Sequence, residues 1–111
     1  MPEGGGTING IDYSQHAMER MAPDTPSVRA ELSRRAEQLA EAKGLQGGTP
    51  EYYQFCQKYV DPRNIPPSVV EDAIWNATAI PGNTAGTLVY QTADVTVIVN
   101  ASGKVITVIP R

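Results

Sequence analysis

His16 stands four residues before Arg20 in the run Tyr13-Ser-Gln-His-Ala-Met-Glu-Arg-Met21. On a helix, residues four apart share a face, so this spacing presents an imidazole and a guanidinium together. The imidazole gains and loses a proton near neutral pH; the guanidinium is a permanent planar clamp for anions. Together they suit a phosphate-containing substrate. The competing assignment is a half-buried histidine and a solvated arginine on an amphipathic helix, and the pair alone does not choose between them.

The supply of reactive residues narrows the remaining chemistry. The chain has one His and one Cys. A single thiol forms no intrachain disulfide, and a zinc site of ordinary ligand count would need several carboxylates. No metal and no cofactor is expected. Cys56 lies in Tyr52-Tyr53-Gln54-Phe55-Cys56-Gln57-Lys58-Tyr59, where positions 52, 55, 56 and 59 share one helical face. Free cysteines on such faces act as small buried hydrophobes. A nucleophilic role would need His16 to reach the thiol in space.

At 111 residues the chain is long enough to bury a core without disulfide support. Its 41% hydrophobic and 19% charged residues are those of a globular protein. The formal charge of −3 and a pI near 5.0 speak against general coating of nucleic acid, which calls for a basic surface. A local basic site remains compatible with that balance. No stretch has the make-up of a signal peptide or a membrane span.

The elements that must position these residues follow from caps and periodicity. Residues 1–11 are glycine-rich and are expected to be a loose linker or cut edge. A first helix is predicted from about Tyr13 to Met21, with Asp12 or Ser14 as its N-cap, and Pro23 stops it. Thr25-Pro26 opens a second helix, with Val28, Leu32, Ala36, Leu39 and Ala40 at helical spacing and Gly44 at its end. Its other side mixes charges of both signs, as a solvated face does. Thr49-Pro50 opens a third helix to about Tyr59. Pro66-Pro67 open a fourth, Ser68 to about Asn76, with Val69, Val70, Ala73 and Ile74 facing inward.

The last third is different. Runs 87–91, 95–99 and 105–109 are dense in β-branched residues and separated by short polar breaks. Three strands joined this tightly form an antiparallel meander. Helices first and sheet last, without βαβ alternation, make an α+β fold in which N-terminal helices pack on the C-terminal meander. The second and third strands are apolar on both faces, so one face meets helices and the other meets something else.

In this order, "His-Ala-x-x-Arg-Met", the helix "Val-Val-Glu-Asp-Ala-Ile", a tyrosine-bearing strand and "Val-Thr-Val-Ile-Val-Asn-x-x-Gly-Lys-Val-Ile-Thr-Val-Ile" resemble a group of bacterial polymorphic-toxin C-terminal domains. These are the variable tips of contact-dependent growth inhibition and related filamentous-haemagglutinin-like effectors. The resemblance runs from about Tyr13 to Arg111; the order of the motifs and the late C-terminal strand carry its specificity. Such domains are similar to the barnase/EndoU/colicin/RelE superfamily of metal-independent ribonucleases, whose fold also sets helices on an antiparallel sheet. The resemblance implies a toxin ribonuclease domain over 12–111, delivered by a cell-surface or secreted effector into a target-cell cytoplasm. Its substrate would be RNA, commonly tRNA. Its partners would be a cognate immunity protein and, in some members, an activating host protein. The low pI departs from many basic ribonucleases.

Metal-free RNA cleavage lets the ribose 2′-hydroxyl attack its own phosphate and expel the 5′-oxygen. It needs a base, an acid and donors for the charged phosphorane. His16 is the candidate acid/base group, and Arg20 steadies it or clamps the phosphate. Tyr90, mid-strand, either donates a phenolic hydrogen bond or fills the core or rim. Thr107, the one polar residue in Val105-Ile-Thr-Val-Ile109, either positions the phosphate or serves as a strand former. Lys104 is a substrate-binding candidate or a solvated hairpin charge. Trp75 is a core anchor or a platform on which a base stacks.

Two further classes remain open. One is a non-catalytic protein-binding module whose apolar sheet face docks a partner. The other is a DNA nuclease, whose substrate lacks the 2′-hydroxyl and whose metal would find few ligands here.

Overall fold

A computed structural model describes residues 1–111. In chain order the elements are β1 (Gly6–Ile8), β2 (Ile11–Tyr13), α1 (Gln15–Met21), α2 (Pro26–Ala42), α3 (Pro50–Tyr59), α4 (Pro67–Asn76), β3 (Ile80–Pro81), β4 (Leu88–Gln91), β5 (Val95–Val99) and β6 (Val105–Pro110). Four helices and a six-stranded, mostly antiparallel sheet make an α+β fold, and the meander β4–β6 follows the helices as expected. The chain divides into two units: residues 1–22 with 63–111, and residues 23–62.

The first unit holds the whole sheet, in the order β1-β2-β6-β5-β4-β3. All neighbours pair antiparallel except β2 and β6, which meet in parallel with Tyr13 opposite Val105. Register assigns the faces. Tyr90, Val97 and Val108 stand in one row across β4, β5 and β6, and Leu88, Val99 and Val105 in another. These rows turn to the covered face, where Val97, Val105 and Val108 are fully buried with Ala17 of α1 and Val70 and Ala73 of α4. Ile80, Val89, Ile98 and Thr107 form a row on the other face. One extra residue on β6, at Ile106, lets both Val105 and Val108 point inward.

The first eleven residues do not form the loose segment expected from their glycines. Asn9 and Gly10 both have positive φ and join β1 to β2 as a tight hairpin. Asn-Gly is the pair such turns favour, because both central residues must enter the left-handed region. Gly5 has a φ of +86°, and a Cβ there would collide with the Tyr13 carbonyl. Its glycine therefore serves a close approach rather than disorder. The first helix is correspondingly shorter than expected: Tyr13 belongs to β2, and Ser14 is the N-cap.

The second unit is a pair of helices, α2 packed on α3. Thr25 and Thr49 cap them, their hydroxyls accepting from Val28 and Tyr52 N–H at 3.3 Å, and each is followed by proline at the first helical position. Leu32, Ala36 and Ala40 are fully buried at four-residue spacing. Gly44, at φ +81°, closes α2, with Leu45 N–H reaching the Ala40 carbonyl at 3.0 Å. No residue of α3 is buried; Phe55 stacks on Tyr59, and Lys43 lies 5.8 Å over the Phe55 ring. No helix is long and apolar enough to cross a membrane.

Candidate functional site

α1 carries His16 and Arg20 on the surface of the first unit. Ala17 and Met21 are buried on its inner side; His16 is exposed and Arg20 half-buried. The helix is fixed at its start by Ser14. The Ser14 N–H donates to the Val105 carbonyl at 2.9 Å, and its hydroxyl donates to the Ile106 carbonyl at 3.3 Å while accepting from Ala17 N–H at 3.0 Å. At the other end, the Arg20 carbonyl accepts from Arg63 N–H at 2.7 Å. The helix that bears the imidazole is thus held at both ends, so the imidazole–guanidinium pair has a rigid base.

Two charged residues passed over in the sequence shape the surroundings of this helix. Glu19 is only 4% exposed, and its carboxylate accepts from the Gln15 side-chain amide at 3.2 Å. Arg63 donates from Nη1 to the Val108 carbonyl at 2.6 Å. Glu19 sits on α1 itself, three positions after His16, a spacing at which helical residues are neighbours. Arg63 lay within Asp61-Pro62-Arg63-Asn64, which reads only as a turn; no local pattern marks its bond to β6.

The other candidates are placed apart. Tyr90 faces the helices and packs against the buried core, opposite Val97. Thr107 faces the open side, opposite Ile98. The sheet therefore separates Thr107 from α1, and the four residues expected to form one catalytic group do not gather in one place. Trp75, 70% exposed on α4, is not a core anchor. It shares its helix surface with Glu71 and Asp72, whose charge disfavours a phosphate backbone beside the indole. Lys104 is half-buried behind the turn that Asn100 builds, where Asn100 Oδ1 accepts from Ser102 N–H at 3.1 Å and Lys104 N–H at 3.0 Å. It lines a shallow polar hollow of about 290 Å³ with Gly4, Gly5, Gly6, Thr7, Asp12 and Tyr13.

The open face of the sheet is the larger concavity, a groove of about 510 Å³. Ile98, Ile106 and Val89 form apolar parts of its lining; Thr107, Thr96, Gln91 and Asn83 supply hydroxyls and amides, and no charged side chain lines it. In the second unit Cys56 is half-buried rather than the buried hydrophobe expected; its partial loss of solvation and the nearby Glu37 push the thiol up, which disfavours the nucleophilic thiolate. No three His, Cys, Asp or Glu side chains gather in an arrangement that could hold a metal ion. No family model, curated protein or solved structure matches this chain.

Proposed function

We propose that this chain is a bacterial toxin domain that cleaves RNA, tRNA foremost, without a metal ion. It would act in a competitor's cytoplasm and be neutralised in the producer by a cognate immunity protein. The observation that carries this reading is the exposed His16 one turn before Arg20, on a helix anchored at both ends to the first unit. The order of motifs from Tyr13 to Arg111 and the α+β fold support it.

In the reaction the 2′-oxygen forms a bond to phosphorus and the bond from phosphorus to the 5′-oxygen breaks, leaving a 2′,3′-cyclic phosphate. One proton leaves the 2′-hydroxyl and one is delivered to the 5′-oxygen. His16 carries one of these transfers, and Arg20 offsets the charge of the phosphorane. Tyr90 and Thr107 stand outside this pair. Tyr90 supports the covered face, and Thr107 belongs to the groove, where substrate beyond the reacting phosphate would lie.

The test is a digest of total RNA in EDTA by wild type and His16→Ala. Discrete tRNA fragments ending in cyclic phosphate, absent with His16→Ala, are the expected result. Intact RNA in cells that nevertheless stop growing would sink the nuclease reading.

One observation favours a second reading, a non-catalytic interaction module. The open sheet face and the exposed Trp75 both present apolar surface, as docking surfaces do. Growth arrest that persists in His16→Ala and disappears on substitution of the sheet face would select it.

A further inference from the structure

We infer that residues 23–62 are a module inserted into a complete domain, and that residues 1–22 together with 63–111 form the whole RNA-cleaving unit. The second half of this statement rests on the ribonuclease reading; the first does not.

The two chain ends that flank the insertion are held together within the first unit. Arg63 N–H donates to the Arg20 carbonyl at 2.7 Å, Asn64 N–H to Ala22 at 3.0 Å and Ile65 N–H to Met21 at 3.0 Å. The chain leaves at Ala22 and returns at Arg63 beside the point where it left. The buried cluster of the first unit runs from Ile11 to Met21 and from Ile65 to Val108, and no residue between contributes to it. Every strand lies outside the insertion as well. Residues 23–62 in turn carry their own start and stop signals, with Thr25 and Thr49 as caps, prolines behind them and Gly44 at the end of α2. The first unit thus has a buried core to itself, and residues 23–62 have their own caps and the packing of α2 on α3.

All six residues singled out for chemistry, His16, Arg20, Trp75, Tyr90, Lys104 and Thr107, fall in the first unit. The insertion is therefore an addition to the reacting domain rather than a part of its site.

The experiment is hydrogen exchange on the full chain with Leu32→Asp, which places a charge at a fully buried position of α2. Amides of 26–59 should lose protection while those of β5 and β6 keep theirs, and RNA cleavage should proceed at an unchanged rate. A second variant replaces 23–62 by Gly-Ser-Gly between Ala22 and Arg63, a bridge that reaches roughly 13 Å. It should retain a dispersed amide spectrum and the same cleavage products. Loss of protection that spreads from α2 into β5 and β6 would overturn the inserted module. Lost cleavage in Leu32→Asp with the sheet still protected would overturn the assignment of the active unit. A wild-type chain that does not cut RNA would refute the ribonuclease reading and that assignment with it, and the exchange result would still decide the module.

Discussion

Ser14 joins the start of α1 to the central strand through Ile106: its hydroxyl hydrogen reaches the Ile106 carbonyl at 3.3 Å while its oxygen accepts from Ala17 N–H at 3.0 Å. One side chain therefore caps the helix and sets its entry onto β6. Ser14→Ala should cost about 1 kcal/mol of stability, the ordinary value of a lost N-cap. Urea unfolding measures it; an unchanged midpoint would show that the cap is redundant.

Tyr13 is 1% exposed, and its hydroxyl has no hydrogen-bond partner. A buried unpaired hydroxyl is destabilising, by about 1–3 kcal/mol. Tyr13→Phe keeps the ring and removes the hydroxyl, so it should raise stability. Burial, helped by the charge of Glu71, pushes the phenol up to about 12 from its ordinary 10.0. The folded state thus favours the protonated form. Stability from this source is complete below pH 10 and declines as pH rises from there through about 12. Alkaline unfolding should be shallower in Tyr13→Phe; identical slopes would count against the assignment.

Arg34 and Arg35, hydrogen-bonded to Glu31, hold its carboxyl at about 2, below its ordinary 4.5. A lowered folded value means that the contribution is present above about pH 4.5 and lost as pH falls toward 2. The difference in thermal midpoint between wild type and Glu31→Gln, followed by helix circular dichroism, should narrow over that window. A constant difference would show that the pairs contribute nothing through charge.

Gly5 meets the Tyr13 carbonyl at a φ reserved in practice for glycine. Gly5→Ala should release β1 from β2, seen as lost amide protection at Gly6–Ile8 with β5 and β6 unaffected. Retained protection at β1 would mean that the backbone shifts to admit the methyl group.

The division of the candidate residues between places has a kinetic consequence. On the proposed ribonuclease reading, His16→Ala should lower RNA cleavage by about 10²–10⁴-fold, the usual worth of a general acid or base. Tyr90→Phe and Thr107→Val should leave the chemical step intact, since one faces the core and the other the open groove. A loss in Thr107→Val as large as that in His16→Ala would show that substrate brings the two sides of the sheet into one site.

Much of the secondary structure was legible because its causes are local. Thr25-Pro26 and Thr49-Pro50 supply a cap and a preset φ within two residues, and α2 and α3 begin where these pairs stand. Asn9-Gly10 was equally local, and the hairpin it marks was hidden only by the glycines around it. Glu19 was not legible as a buried residue, because a carboxylate among Met18 and Arg20 reads as the solvated side of a helix.

Composition and spacing by themselves determined the α+β class, the caps of α2 and α3, the meander β4–β6 and the His16–Arg20 pair, and left the cap of α1 open between Asp12 and Ser14. Tertiary structure alone decided the parallel joining of Tyr13 to Val105 and the meeting of Arg63 with Val108, since both connect segments far apart in the chain. It also decided the face of Thr107. Simple alternation from Val105 turns residue 107 inward, but the extra residue at Ile106 reverses the sense, sending Thr107 to the open side and Val108 to the core. A bulge is fixed by pairing across strands rather than by the strand's own residues, which is why the sequence of β6 does not reveal it.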